Sequence, residues 1–145
     1  MTLGHVRKAF AYVVRATAHG PELLVFRTHE EPEGFEVPKG AAEPDESFAD
    51  AARRELFEES GLTASAGTEL GTTWYEGEEQ RFFLFTIGDV PDRFRHQVTG
   101  RGGDAGITYA FEFLPLDDAL AGRLVQGSGA FVEELRRLAE HSLAT

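Results

Sequence analysis

The sequence predicts a mixed α/β fold in which helices pack on a sheet. Only two segments, 46–60 and 128–143, have helical character. Apolar, strand-like segments occupy much of the remaining chain, at 5–16, 22–28, 67–89 and 107–116. Strands interspersed with one central and one terminal helix are typical of layered α/β architectures. The 145 residues contain no repeat and no low-complexity linker, so we expect a single domain over 1–145.

Turn signals divide the predicted strands. His19-Gly20-Pro21 joins the first two strands, and a turn at 76–80 splits the segment 67–89 into a hairpin. A polar loop follows the second strand and contains one short extended piece at 35–37, which Pro38 ends because proline has no N–H to donate. The glycine-rich stretch 90–106 predicts mostly loop, with alternation that allows one short strand.

The central helix is predicted over 46–60. Asp45 is a suitable N-cap, and Glu46 and Asp50 would lie at the positive end of the helix dipole. Gly61 follows the last helical residue, where a left-handed C-terminal cap is expected. The C-terminal helix has apolar residues at core-facing spacing, namely Phe131, Leu135 and Leu138.

Composition excludes several classes of function. The formal net charge of −11 and the pI of about 4.8 disfavour binding to nucleic acid polymers, RNA processing and anionic membranes. Cysteine is absent, so disulfides and thiolate metal sites are excluded. No apolar run reaches the length of a membrane span, and the N-terminal apolar piece is too short for a signal peptide. We therefore expect a cytoplasmic protein that could still bind a small anionic ligand through a metal ion; its oligomeric state stays open.

Three acidic residues of the central helix, Glu55, Glu58 and Glu59, are clustered on one face. At 100° per residue they fall within about one third of the helix circumference. Such carboxylates raise one another's pKa unless a cation neutralises them, and oxygen ligands suit Mg²⁺ or Mn²⁺. Arg54, four residues before Glu58, could pair with it. The alternative is an ordinary solvated acidic face.

The spacing of the surrounding residues decides between these readings. Gly40 is followed after five residues by Glu46 and after seven more by RELFEESGL, from Arg54 to Leu62. This pattern resembles the Nudix box at every defining position, and chance would produce it on the order of once in 10⁹ starts or fewer. The resemblance implies a Nudix-type α/β/α sandwich with a mixed β-sheet. It also implies a metal-dependent hydrolase of a nucleoside diphosphate linked to another group.

Roles follow from the resemblance by position. It implies metal ligation by Glu55, Glu58, Glu59 and the carbonyl of Gly40, an orienting role for Arg54 and a supporting one for Glu46. The expected cofactor is Mg²⁺ or Mn²⁺. Glu59 or Glu55 would serve as the general base. Relatives often take the base from a later segment, which makes Asp104 and Glu112 the alternatives, although a plain surface carboxylate is favoured for both.

Candidate substrate-binding residues lie outside the box. A basic cluster in the acidic chain could grip phosphates, and its members are Arg93, Arg95, His96 and Arg101. An ordinary solvated loop is an equal alternative. Lys39 and Arg27 are weaker candidates for the same role. Trp74 and Tyr75 could stack on a base, but core packing is the favoured interpretation of aromatic strand residues.

The nature of the substrate stays open at this stage. Pro38-Lys39-Gly40 resembles the entry to the box in some dinucleoside polyphosphate hydrolases, yet the same tripeptide occurs in members with other substrates. A house-cleaning nucleoside triphosphate pyrophosphatase is a further alternative. A nucleotide-binding module on this fold would be expected to have lost box glutamates, and this chain retains them all. We therefore expect an enzyme whose partner is a small nucleotide.

Overall fold

The structure is a computed structural model that describes residues 4–27, 34–64 and 67–143. The first part of the predicted polar loop that follows the second strand, up to residue 33, lies outside these residues. The strands are β1 (Val6–Thr17), β2 (Gly20–Arg27), β3 (Phe35–Glu36), β4 (Lys39–Ala41), β5 (Gly67–Tyr75), β6 (Glu78–Phe85), β7 (Arg93–Gln97) and β8 (Thr108–Pro115). The helices are α1 (Phe48–Ser60), α2 (Asp118–Ala121) and α3 (Val132–Leu143).

The strands form one mixed sheet. Its order is β5-β6-β1-β2-β8-β7, with β3 paired to β2 and β4 paired to β1. The β1–β6 pair is parallel, and the other pairs are antiparallel. Parallel strands need a long connection, and the segment between β1 and β6 carries α1.

Strand β1 changes partner along one of its edges. Residues 8–10 pair with β4, whereas residues 14–17 pair with β2. The opposite edge of β1 pairs with β6 over residues 6–13. β4 therefore lies in the opening where β1 and β2 diverge, which brings the glycine at the start of the box to the middle of the molecule.

Side chains of β1 point alternately to the two faces of the sheet and contribute to a hydrophobic core on each face. Ala9, Ala11 and Val13 pack in a cluster that contains Ala51 and Leu56 of α1. On the other face, the intervening side chains pack with residues of α2 and α3; this second cluster includes Phe10, Tyr12, Leu120 and Leu135. Alternate residues of a strand point to opposite faces, so one strand supplies both cores. The predicted α/β/α sandwich is confirmed.

The N-terminus of α1 differs from the prediction. The N-cap is Ser47, whose side chain accepts a hydrogen bond from the Asp50 N–H, and the helix begins at Phe48. Asp45 and Glu46 precede the cap, and the Glu46 N–H donates to the Glu43 carbonyl in a turn. The predicted cap at Asp45 is wrong by two residues, because several residues in this stretch can cap and only one is positioned to do so.

The C-terminal cap and the hairpin turn are placed close to expectation. Gly61 has φ of 79° and its N–H donates to the Phe57 carbonyl, as predicted for a left-handed cap. The hairpin turn is confined to Glu76-Gly77, both with positive φ, so residues 78–80 belong to β6 rather than to the turn.

Two other elements differ from the predictions, and a third agrees with them. Lys39–Ala41 forms strand β4, where a loop was expected. The short strand allowed within 90–106 exists as β7, and helix α2 was not predicted. No helix among the described residues is long and apolar enough to cross a membrane.

Candidate active site

Arg54 is the centre of the polar network on α1. Its Nε and Nη2 bind the two carboxylate oxygens of Glu46, at 2.8 and 2.9 Å. Its Nη1 lies 2.9 Å from Glu55 Oε1 and 2.9 Å from Glu58 Oε2, and Nη2 also donates to the Ala41 carbonyl at 2.9 Å. The predicted contact with Glu58 is present. The paired contact with Glu46, eight residues earlier, fixes the guanidinium plane and lowers the pKa of the Glu46 carboxyl.

Glu59 is the most buried of the box glutamates, with 4% of its surface exposed. Burial raises its pKa well above the ordinary value, and the charges of Glu55 and Asp104 raise it further. The pKa of Glu55 is also raised by burial, although Arg54 opposes the shift. The two carboxyls share a hydrogen bond, and the Lys39 main chain donates a second one to Glu59. These acids therefore favour a shared proton or a cation over two bare charges.

Gly40 approaches Glu55 more closely than any other residue type could. A Cβ built on Gly40 would lie 2.1 Å from Glu55 Cδ, far inside van der Waals contact. The close approach arises because Gly40 belongs to β4, which lies directly beside α1. In that strand Gly40 pairs with Ala9 of β1. Absence of a side chain at this position therefore leaves room for the carboxylate against the main chain.

The loop after β7 closes the other side of the glutamate cluster. The Thr99 N–H donates to the Glu58 carbonyl at 2.9 Å. Gly100 has φ of 93°, and a Cβ there would lie 2.0 Å from Glu58 Oε1. Glu58 is thus held between Arg54 and a loop whose glycine belongs to no motif in the sequence.

These residues surround a cavity of about 830 Å³, called the glutamate cavity below. All three clustered glutamates line it, and so does Gly40. Further lining residues come from β1, β4 and the loop after β7, including Lys8, Lys39, Arg101 and Asp104. Its volume is in the range of small-molecule sites, roughly 300–1,000 Å³.

The donor set fits a hard divalent cation. It consists of carboxylate oxygens and one main-chain carbonyl, which are the ligands that Mg²⁺ and Mn²⁺ prefer. In the part of the chain that the structure describes, no three His, Asp or Glu side chains are yet arranged to hold an ion. The reason is visible: Arg54 lies between Glu55 and Glu58, and Glu55 is hydrogen-bonded to Glu59. The close approach of the Glu55 carboxylate to the Gly40 main chain, and the burial of Glu59, fit a hard divalent cation.

The two candidate bases outside the box are placed differently. Asp104 lines the glutamate cavity, and its Oδ2 accepts a hydrogen bond from the Tyr109 hydroxyl at 3.3 Å. Glu112 is paired with Val25, which belongs to the core cluster on the sheet face opposite α1. Directly opposite residues on neighbouring strands share a face, so Glu112 lies across the sheet from the glutamates.

The predicted phosphate-binding residues are divided by the fold. Lys39 and Arg101 line the glutamate cavity, and the Lys39 ammonium also pairs with Glu36 at 2.8 Å. The guanidinium of Arg27 lies over the ring of Phe35, 4.8 Å from its centroid, outside the lining of the cavity.

The remaining members of the basic cluster lie on β7. Alternation places Arg93 and Arg95, both exposed, on one face of this strand and His96 on the other. His96 packs over Gly61 at the end of α1, where a Cβ on Gly61 would lie 2.9 Å from His96 Nδ1. His96 Nε2 is buried without a hydrogen-bond partner among the described residues. The cluster is therefore continuous in sequence but not in space.

Besides Gly100, two residues at the site were not predicted, and two others were misjudged. Lys8 lines the glutamate cavity, and Tyr109 holds Asp104; neither stands in a motif. Trp74 and Tyr75 are 59% and 63% exposed, so the favoured interpretation of core packing is wrong. Both line a second cavity of about 600 Å³, which also includes Lys8.

Comparison with known proteins gives the family. The NUDIX domain family model matches residues 5–135. A C. elegans Ap4A hydrolase, solved as a binary complex, superposes with a TM-score of 0.66 at 20% identity, covering 92% of this chain and 98% of that one. A mutT/nudix family protein from Listeria innocua gives a TM-score of 0.64 at 17% identity, covering 99% and 100%. A search of curated proteins finds no match.

The family model and the geometry agree. The matched range spans most of the chain and includes the entire box, and the structural neighbours have the same fold. Members of the family act on small nucleotide substrates. The chain belongs to the NUDIX domain family, and the enzyme class that its box predicts, a Nudix pyrophosphohydrolase, is confirmed.

Proposed function

We propose that this chain is a divalent-metal-dependent hydrolase that cleaves the pyrophosphate linkage of a nucleoside diphosphate joined to another group. One observation carries the proposal: Glu55, Glu58 and Glu59 face a single cavity beside the main chain of Gly40. Acids that are buried and crowded in this way are costly to a fold, so a role in binding a cation accounts for their presence.

Mg²⁺ or Mn²⁺ would be held by the carboxylates of Glu55, Glu58 and Glu59 and by the Gly40 carbonyl. When bound, such a cation would supply charge stabilisation for the phosphates and would make a nearby water more acidic. A bound cation would favour the ionised forms of Glu55 and Glu59, whose pKa values burial raises.

The residues of the chain supply positioning and proton transfer. Arg54 is a positioning residue, because its guanidinium holds Glu46 on one side and Glu55 and Glu58 on the other. Glu59 or Glu55 would accept the proton of the attacking water. Asp104 is the alternative base, supported by its place in the cavity; Glu112 loses support because it lies on the other face of the sheet.

Phosphates of the substrate would be gripped by the cations at the cavity. Lys39 and Arg101 line it, and Lys8 is added to the predicted set. Arg95 and His96 lie elsewhere and Arg27 packs on Phe35, so none of these three is proposed as a first contact of the phosphates. The remainder of the substrate would extend from the metal site past Lys8 and Lys39.

A dinucleoside polyphosphate is a specific candidate within this class. The second cavity adjoins the first, which suits a substrate with a bulky group on each side of the phosphate chain. One structural neighbour is an Ap4A hydrolase, which adds modest support at 20% identity. A house-cleaning nucleoside triphosphate pyrophosphatase is the other candidate. We also propose a single domain over 1–145 and a cytoplasmic location, in keeping with the absence of cysteine.

The test is product release from a nucleotide panel with Mg²⁺ or Mn²⁺. The panel contains dinucleoside polyphosphates, nucleoside triphosphates, ADP-ribose and nucleotide sugars, and wild type is compared with Glu59→Gln. Metal-dependent turnover of one class that the variant loses would support the hydrolase and name its substrate. Binding of a nucleotide without turnover of any class would instead favour a nucleotide-binding module.

A further inference from the structure

The second cavity lies at the open end of the β5–β6 hairpin. Residues of the hairpin form one wall, and the segment 126–130, which precedes α3, forms the other. Lys8 and Lys39 line both cavities, so they mark the junction between them. A ligand that extends from the glutamates past these two lysines would therefore enter the second cavity.

Tyr75 offers a free aromatic face at this cavity. In the sheet, Thr73 lies opposite Gln80, and Gln80 lies opposite Lys8, so these three side chains share a face. Tyr75, which pairs with Glu78, is two residues after Thr73 and therefore points to the same face. Trp74 borders the cavity as well, but its side chain points to the opposite sheet face, where its ring centroid lies 4.8 Å from that of His5. Tyr75 is 63% exposed, and exposed tyrosine rings bind flat ligands by stacking.

Amide groups line the same cavity beside the ring. Gln80 is only 5% exposed, and its Nε2 donates to Glu78 Oε1 at 2.8 Å. Gln126 has φ of 56°, a left-handed conformation that costs a residue other than glycine about 1 kcal/mol or more. This conformation directs the Gln126 carbonyl to the Lys39 ammonium, at 2.8 Å. Strain maintained beside a cavity points to a functional constraint.

The charges at this cavity favour a neutral ring over a further phosphate. Lys39 is paired with Glu36 at 2.8 Å, and Lys8 is paired with Glu78 at 3.4 Å. Each cation is therefore largely offset by a carboxylate before any ligand arrives. A phosphate bound deep in the second cavity would also meet Glu78, whereas a neutral base would not be repelled.

We propose that the second cavity binds the base of the nucleotide substrate, which stacks on Tyr75 while Gln126 contacts its polar edge. The inference rests on the proposed function, because the phosphates joined to that base would lie at Lys8, Lys39 and the glutamates. In this proposal the β5–β6 hairpin recognises the base, and no residue of the Nudix box does so. The selectivity of the enzyme among bases would then depend on Tyr75 and Gln126.

Calorimetric titration tests this assignment without turnover. The two probes, each with Mg²⁺, are the non-hydrolysable adenosine 5′-(α,β-methylene)diphosphate and methylenediphosphonate, which lacks the nucleoside. Tyr75→Ala should weaken binding of the nucleotide about tenfold, since stacking of a base on an aromatic ring contributes about 1–3 kcal/mol. Tyr75→Phe, which keeps the ring, should bind within about twofold of wild type. Methylenediphosphonate should bind equally to all variants.

Two further variants sharpen the result. Gln126→Gly removes the side chain but suits the left-handed backbone, so it should weaken nucleotide binding about two- to tenfold through loss of a hydrogen bond. Phe57→Ala is the matched control, because Phe57 is an exposed aromatic residue that lines neither cavity. It should leave the affinity for both probes unchanged.

The outcomes separate this inference from the proposed function. Unchanged nucleotide affinity in Tyr75→Ala, with wild type binding both probes, would overturn the base site and leave the hydrolase standing. An equal loss for both probes would also overturn it, since the effect would not come from the base. Failure of wild type to bind either probe would contradict the proposed function, and the base site with it.

Discussion

At the scale of single residues, Gly40 has no room for a side chain. Its missing side chain leaves the space that Glu55 occupies, at a distance of 2.1 Å between the built Cβ and Glu55 Cδ. Gly40→Ala should displace the Glu55 carboxylate, which is the end of a flexible side chain, rather than disrupt β4. We expect kcat/KM to fall about 100-fold, as displacements of about 1 Å can do, while Tm changes by a few degrees at most. Steady-state kinetics and calorimetry would measure both.

A glycine away from the site provides the control. A Cβ at Gly88 would meet nothing within 4 Å, so Gly88→Ala should preserve both activity and stability. Equal losses of activity in the two variants would contradict the argument. So would a large drop in Tm for Gly40→Ala, because the glycine would then serve the fold rather than the carboxylate.

Glu59 illustrates a conflict between stability and function. Burial first, and then the charges of Glu55 and Asp104, raise its pKa in the folded protein above the value in the unfolded chain. The folded state therefore holds a proton that the unfolded state loses, and in chelator the free energy of unfolding should fall as pH rises through the raised pKa. Glu59→Gln should lose this pH dependence and be more stable than wild type at neutral pH.

Urea unfolding at a series of pH values, with EDTA present, measures this effect. The same variant should lose about 10²- to 10⁴-fold in kcat if Glu59 is the base. A pH dependence of stability that is unchanged in Glu59→Gln would show that the carboxylate does not carry the cost inferred for it.

At the scale of elements, the cap of α1 holds the helix that carries the site. Ser47 accepts the Asp50 N–H, and loss of such a cap costs about 1 kcal/mol. Ser47→Ala should lower the free energy of unfolding by about that amount, whereas Asp45→Ala, outside the helix, should change it by less than about 0.5 kcal/mol. Urea titrations of the two variants would decide. A larger loss for Asp45→Ala would restore the cap predicted from the sequence.

The helix α1 and its glutamates could be predicted from residue spacing along the chain. The residues around them could not, because they are brought there by pairing between distant segments. Arg54 and Glu58 are four residues apart on one helix, so their contact follows from helical geometry alone. In contrast, β4 exists because Lys39–Ala41 pairs with a strand about 30 residues earlier, and nothing local signals it. Gly100 and Lys8 reach the cavity in the same way, through the folding of distant segments.

The exposure of the aromatic residues and the separation of the basic residues were not predicted, for a related reason. Alternation along β5 indicates two faces, but burial depends on whether another layer covers them. Trp74 and Tyr75, at the end of β5, are exposed. The run from Arg93 to Arg101 is divided because β7 alternates its side chains between faces. Closeness in sequence therefore predicted a cluster that the strand separates.

At the scale of the whole molecule, charge makes the cation indispensable to the proposed activity. A chain of formal net charge −11 must bind an anionic substrate beside three glutamates. The lysines at the junction of the cavities are already paired with carboxylates, so they supply little uncompensated positive charge. A bound divalent ion would make the electrostatic potential positive where the phosphates would bind.

Metal should therefore stabilise the folded protein measurably. At a Mg²⁺ concentration one hundred times its Kd, binding to the folded state alone raises the free energy of unfolding by about 2.7 kcal/mol. This corresponds to a rise in Tm of about 5–10 °C for a chain of this length. Sodium chloride at equal ionic strength controls for simple screening of the net charge. The double variant Glu55→Gln/Glu58→Gln should keep the response to sodium and lose the response to Mg²⁺. If sodium alone reproduces the whole shift, or if the double variant retains it, the ion binds elsewhere and the glutamates need another explanation.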